Sequence, residues 1–210
     1  MEPQEKYEKF LALPTDKQER IINASMKEFL QGYKKATTDS IVKEAGISKG
    51  LLFHYFGTKE GLYTFLIDHG IDILQREYIS LINTHQPDIL ESIWQLALLK
   101  QDVSLHFPVI FDFLTMAHVD KGAHSLPSSV SLEKFAAIQA GMMADVYAHA
   151  DMSLFKDDID PKIAMEIIGW TMAGYGQSKA AQVATVRENY EIFLEEFQQI
   201  LNTLRQCFYK

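Results

Sequence analysis

The stretch ATTDSIVKEAGISKGLLFHYFGTK, residues 36–59, decides how the rest of the chain is read. It predicts two short helices joined by a tight turn. Thr37 and Thr38 offer N-cap hydroxyls, and Ile41, Val42 and Ala45 share one helical face. Gly46 falls where a helix ends with positive φ, Ile47 plugs the turn, and Ser48 caps the next helix. Leu52 and Phe56 are spaced i, i+4 and turn inward together. What remains outward is Ser48, Lys49, Gly50, Leu51, Phe53, His54 and Tyr55, an odd face to offer to water. A glycine inside a helix costs about 1 kcal/mol relative to alanine. Close approach of the backbone to a partner is the usual reason to keep one. A helix–turn–helix whose second helix enters the DNA major groove supplies such a partner.

The surrounding residues extend the pattern. The run AGISKGLLFHYFGTKEGLY follows a Thr-Thr pair and a first helix carrying Ile21, Ile22, Ala24 and Phe29. A small residue, Gly, a hydrophobic turn residue, Ser, Lys-Gly, an aromatic cluster and a Lys opening the next helix come in that order. Over roughly residues 15–66 this resembles the N-terminal domain of TetR-type bacterial transcriptional regulators. The remaining two thirds resembles that family only in helical character and length. The resemblance implies an all-α chain of about nine helices. Residues 1–60 would form a helix–turn–helix DNA-binding domain of three helices, and residues 61–210 a helical bundle that binds an effector and dimerises.

With that resemblance as support, each motif residue is expected to have a role. Thr38 and Ser48, with helix N-terminal amides, bind phosphates and set register. Lys49 reaches either a guanine edge or a phosphate. Gly50 lets the backbone approach. Leu51 stands where many family members carry a polar residue, so a thymine methyl is its natural contact rather than a hydrogen bond. Phe53 packs on sugars or thymine methyls. His54 and Tyr55 match positions that commonly touch phosphates in the family, although helix packing is the competing role for Phe53 and Tyr55. Lys59, at the start of the following helix, completes a phosphate seat.

Composition agrees with a folded, non-membrane chain. Of 210 residues, 47% are hydrophobic, and no apolar run is long enough to span a bilayer. The polar start MEPQEKYEKF lacks a signal peptide's apolar core, and the single Cys207 fits a reducing cytoplasm, the expected location. The net charge of −8 is unevenly spread. Residues 17–59 hold eight Lys/Arg against four Asp/Glu, +4, which leaves −12 for the rest. Such asymmetry turns the N-terminal part toward a polyanion.

Taken in order, residues 1–14 read as a short arm with a helical turn at most. Thr15-Asp16-Lys17-Gln18 has the form of a capping box. The first helix runs to about Gln31 with Ile22, Met26, Phe29 and Leu30 inward, and the fourth runs from Lys59 to about Asn83. Ile89–Leu99 and Asp102–Val119 follow, the second with Pro108 in its first turn or at a kink. Ser131–Asp151, with Phe135, Ile138, Met142, Val146 and His149 on one side, a helix from Pro161 to about Gln182 and one from about Val186 to Phe208 complete the set.

Two further sites are expected in the body. Trp94, Phe107, Phe111, Met143, Tyr147, Trp170 and Tyr175 are the residues chosen to line an apolar cavity for a lipophilic small-molecule effector. Gly169, Ala173, Gly176 and Ala180 recur along one stripe of the eighth helix, and Phe193, Phe197 and Leu201 along the ninth; together they predict a homodimer interface. A two-fold dimer requires an inverted-repeat site on double-stranded DNA. No cofactor, metal site or membrane partner is expected. H-E-x-x-H, G-x-S-x-G, the P-loop and paired cysteines are all absent, which leaves an enzyme improbable. The alternative is a helical small-molecule or lipid-binding protein that has lost DNA binding. Repression is the family's usual mode.

Overall fold

This computed structural model describes residues 7–120, 122, 123, 126, 128–180 and 190–210. Those residues form ten α-helices and no strand. They are α1 (Glu8–Leu11), α2 (Thr15–Phe29), α3 (Thr38–Ala45), α4 (Lys49–Phe56), α5 (Lys59–Glu77), α6 (Ile89–His106), α7 (Ile110–Val119), α8 (Ser128–Ala148), α9 (Pro161–Ala180) and α10 (Tyr190–Phe208). The chain packs as two units, residues 1–81 with 102–140 and residues 82–101 with 141–210. The expected division of roles at residue 60 is a separate matter from this packing.

In the first unit, α2 lays Ile21, Met26 and Phe29 against Ile41 of α3, Leu52 and Phe56 of α4, and Leu62, Tyr63 and Leu66 of α5. Ile21 takes the deepest place, and Ile22 and Leu30 only flank the core. The N-terminal arm is also part of this core, contrary to expectation. Phe10 is fully buried, with ring centroids 4.8 Å from Phe56 and 5.2 Å from Phe65. The Tyr7 hydroxyl donates to the Gly61 carbonyl at 3.2 Å. The expected capping box is replaced as well. Pro14 is the N-cap of α2 without a side-chain cap bond, and the Gln18 amide reaches back to the Leu11 and Leu13 carbonyls at 2.9 and 2.8 Å.

The junction of α4 and α5 admits almost no variation. A β-carbon on Gly61 would stand 2.2 Å from the Phe56 carbonyl oxygen, so only glycine lets the end of α4 sit on the first turn of α5. Helix α7 braces the same unit. Phe113 lies 5.8 Å from Tyr63 and 6.4 Å from Phe29, and Leu114 packs over Gly70, 3.4 Å from where a β-carbon would stand. The helix expected over Asp102–Val119 is in fact two pieces. α6 ends at His106 and α7 begins at Ile110, because Pro108 lacks the N–H that would continue the ladder.

In the second unit, Ile89, Leu90, Val146, Phe155, Ile168, Phe197, Leu201, Leu204 and Tyr209 form the core. Asp88 organises its edge. Its Oδ1 accepts the Leu90 N–H at 3.0 Å and the Tyr209 hydroxyl at 3.0 Å, while Oδ2 accepts Arg205 at 2.6 Å. The α6 N-terminus is thereby tied to the chain's last turn. On α8, Phe135 is buried in the first unit's core and Val146 in the second's, whereas Ile138 is 41% exposed and His149, just past the helix end, is exposed, so the inward stripe is narrower than the one predicted. The expected helix start near Val186 lies outside the described residues.

Candidate nucleic-acid interface

The motif is built by local chemistry. Thr37 caps α3 by accepting the Ser40 N–H at 3.2 Å, and Gly46 ends it with φ 66°. Only a residue without a β-carbon holds that left-handed conformation at little cost. Ser48 caps α4 by accepting the Leu51 N–H at 3.2 Å, and Thr58 caps α5 through the Gly61 N–H at 2.9 Å. Leu52 and Phe56 point into the core, and the opposite face of α4 is left to solvent.

On that face Ser48, Lys49, Gly50 and His54 are exposed, and Leu51, Phe53 and Tyr55 are half-buried along its margins; Thr38, at the start of α3, is also half-buried. Gly50 is the second residue of α4, and the space where its β-carbon would go is empty to 4 Å. Among the described residues nothing within 4 Å requires a glycine there. Tyr55 has a packing role too, edge-on to Phe10 at 5.8 Å. Lys49 is held by Asp39 of α3 through both carboxylate oxygens, at 2.9 and 3.0 Å, on an exposed surface. Asp39 lies ten residues away on another helix, so helical periodicity alone does not show the pair.

Lys59 is placed differently from the expectation. Its ammonium turns inward, donates to the Ala36 carbonyl and sits 4.7 Å from the Tyr33 ring centroid. Burial pushes it below its usual pKa, and Glu28 opposes that shift. Tyr33, whose ring forms this seat, and Glu28, whose charge acts on it, were not among the predicted site residues. A cation over an aromatic ring is held by the ring quadrupole, so Lys59 fixes the start of α3 against the start of α5.

The residues expected to line an effector cavity fall into both units. Phe107 and Phe111 pack on the first core, with Phe111 5.4 Å from Tyr78. Trp94, Tyr147 and Tyr175 pack on the second. There Trp94 and Tyr175 meet Phe197 at 6.5 and 5.4 Å, and Tyr175 lies 5.5 Å from Phe193. Met143 is half-buried. Trp170 is 68% exposed.

Of the residues expected at a dimer interface, Phe197 and Leu201 are buried at 8% and 5% and close their own unit's core. Phe193 and Gly169 are half-buried, and Ala173 and Gly176 are exposed. The side chain of Ala180 lies outside the described residues. With Ile163 56% exposed and Trp170 at 68%, α9 presents an apolar strip to solvent. Among the described residues no group of three or more His, Cys, Asp or Glu gathers as a metal site, and no helix is long and apolar enough to cross a membrane.

Comparison with known proteins bears on this geometry. Residues 21–64 match the sequence profile of the family described as bacterial regulatory proteins, tetR family. No curated protein matches the chain. Among solved structures, a TetR family transcriptional regulator from Chloroflexus aurantiacus is similar with a TM-score of 0.61 and 20% identity, over 97% of this chain and 98% of that one. The ketosteroid transcriptional regulator KstR2 of Mycobacterium tuberculosis is similar with a TM-score of 0.62 and 19% identity, over 94% and 97%. The TetR family regulator PfmR of Thermus thermophilus gives 0.54 and 13%, over 89% and 97%. At these identities the likeness is one of fold.

Proposed function

We infer, for a chain that carries a TetR-family N-terminal domain on the fold of TetR-family regulators, a transcription regulator that inserts α4 into the DNA major groove. The observation that carries this reading is Gly50. It is exposed on the outer side of α4, it weakens the helix, and its missing β-carbon relieves no contact among the described residues. The +4 charge of residues 17–59 in a chain of −8 points the same way.

Within this reading Ser48 and Thr38 bind phosphates beside the helix N-termini, and His54 and Tyr55 do so along the far side. Lys49, Leu51 and Phe53 meet bases and sugars. Lys59 serves the same surface by fixing the first turn of α3. The active form is a homodimer joined through the exposed strip of α9, centred on Trp170, Ala173 and Gly176, and its operator is an inverted repeat. A lipophilic effector taken up by the aromatic body shifts the population toward a form in which the reading helices are misplaced. The reading is of a binding protein rather than an enzyme, and repression is its usual mode.

The test is anisotropy with the gene's own upstream DNA and a scrambled duplex across salt concentrations. A dimer touching about four or more phosphates loses affinity with a slope of log K against log salt near −4 or steeper. Lys49→Ala then separates its two roles, since loss of a base contact relaxes sequence preference, whereas loss of a phosphate contact weakens all duplexes alike. Equal, salt-insensitive binding to both duplexes, or none, would leave the rival reading of a helical ligand-binding protein.

A further inference from the structure

Asp120 stands just past the end of α7, 87 residues from Tyr33, yet its carboxylate is built into the turn that leads to the reading motif. Oδ2 accepts the Tyr33 backbone N–H at 2.6 Å, and Oδ1 accepts the Gly122 N–H at 2.8 Å. Gly32, with φ +94°, turns the chain so that this N–H meets the carboxylate. A β-carbon on Gly32 would stand 3.4 Å from Oδ2. One on Gly122 would stand 3.0 Å from Oδ1 and 3.1 Å from Lys34 Cγ. The two turns are fitted to each other at both glycines.

The contact does not stop at Tyr33. Its ring carries the Lys59 ammonium at 4.7 Å, and Lys59 donates to the carbonyl of Ala36, the residue before the N-cap of α3. Glu28 accepts the N–H of that N-cap, Thr37, at 2.8 Å. Helix α7 is seated on the same unit through Phe113 and Leu114. A continuous series of charge-assisted and cation–π contacts therefore joins the end of α7 to the first turn of the helix–turn–helix. Such contacts are directional and weaken steeply once donor and acceptor separate.

Resting on the DNA-binding reading above, we propose that Asp120 is a positioning residue. Its carboxylate couples the end of α7, through Tyr33 and Lys59, to the placement of α3 and α4, so that a displacement of α7 changes how the reading face is presented.

The test uses the full chain with Asp120→Ala, Asp120→Asn, Lys59→Met, the Asp120→Ala/Lys59→Met double variant, and Thr115→Ala, an exposed position on α7, as control. Two readouts are taken: affinity for the upstream duplex, and amide hydrogen exchange of Ile41–Ala45 in α3 against Leu201–Leu204 in the second unit. Asp120→Ala should lower affinity about tenfold and speed α3 exchange by a similar factor, with the second unit unchanged. The double variant should be no worse than the more damaged single variant, the signature of one connected path. Asp120→Asn, which keeps an acceptor for Tyr33, should lose less, and it carries the same comparisons if the alanine variant does not fold. Additive losses, unchanged α3 exchange, or an equal effect in Thr115→Ala would overturn the coupling. If wild type binds no DNA, the regulator reading falls, and the exchange data still decide for or against the path.

Discussion

Gly50→Ala separates the two reasons for which a glycine is kept in a helix. The space around its absent β-carbon is empty to 4 Å, so alanine introduces no clash with the described residues. Position 50 is the second residue of α4, inside the helix but close to its cap. The gain in helix stability from Gly to Ala is therefore at the low end of the usual range, about 0.5 kcal/mol. For a domain of this size that raises the thermal midpoint by about 1–2 °C. If α4 meets DNA with its backbone, the added methyl group must be accommodated at the interface instead. Displacing packed backbone and phosphate contacts there should cost about 1.4 kcal/mol per site, a tenfold loss in affinity. The assays are calorimetric unfolding of the free protein and anisotropy titration of the upstream duplex at fixed salt. Stability should rise while affinity falls. A variant that gains stability and binds DNA as tightly as wild type would refute the assignment of Gly50 to the interface. A loss of stability would show that the glycine has a reason internal to the fold.

Three other outcomes follow from the structure. Asp88 is half-buried; burial pushes its carboxyl up, but the hydrogen bonds from Arg205, the backbone and Tyr209 outweigh that and hold it below the ordinary carboxylate range. Its stabilisation is therefore present above the unfolded carboxylate's pKa and is lost as pH falls through the lower folded value. Asp88→Asn should cost about 1–2 kcal/mol near neutral pH and flatten the acid limb of a urea-unfolding series, and a wild-type-like series would refute the tie. His69 stacks on Phe65 at 5.4 Å; burial pushes its imidazole below the usual 6.5, with Asp72 opposing and Arg76 adding to the shift. The unfolded chain thus binds the extra proton more readily, so stability is full above pH 6.5 and falls below it. His69→Phe should remove part of the decline in urea midpoint between about pH 6.5 and 5. On the proposed dimer through the exposed strip of α9, Trp170→Arg should convert the dimer to a monomer in sedimentation velocity and weaken binding to an inverted repeat far more than to a half-site; an intact dimer would place the interface elsewhere, and a monomeric wild type would refute the proposal.

The reading motif was legible because its determinants are local. Thr37, Gly46, Ser48 and Thr58 act within three or four residues of themselves, and Leu52 and Phe56 are one helical turn apart, so capping and periodicity alone placed α3, α4 and the start of α5. The helical class of the body was legible for the same reason. The break at Pro108 was visible as a kink but not as the boundary of two helices, since the flanking apolar residues continue without a polar gap. What the sequence could not show is who faces whom. Phe10 looked like part of a loose arm because nothing in its neighbours reveals the aromatic cluster of Phe56 and Phe65 that receives it. Lys59 looked like a phosphate ligand because its inward partners, Ala36 and Tyr33, lie 23 and 26 residues earlier. Phe197 and Leu201 looked like surplus apolar surface, and only the packing of α10 in its own unit assigned them to that unit's core. Sequence by itself determined most of the helices, the caps of the motif and the charge of residues 17–59, because these depend on composition and on contacts a few residues apart. Tertiary structure alone decided which side chains remain free to meet a partner and which are used within the chain, because burial and pairing depend on residues that the sequence keeps far apart.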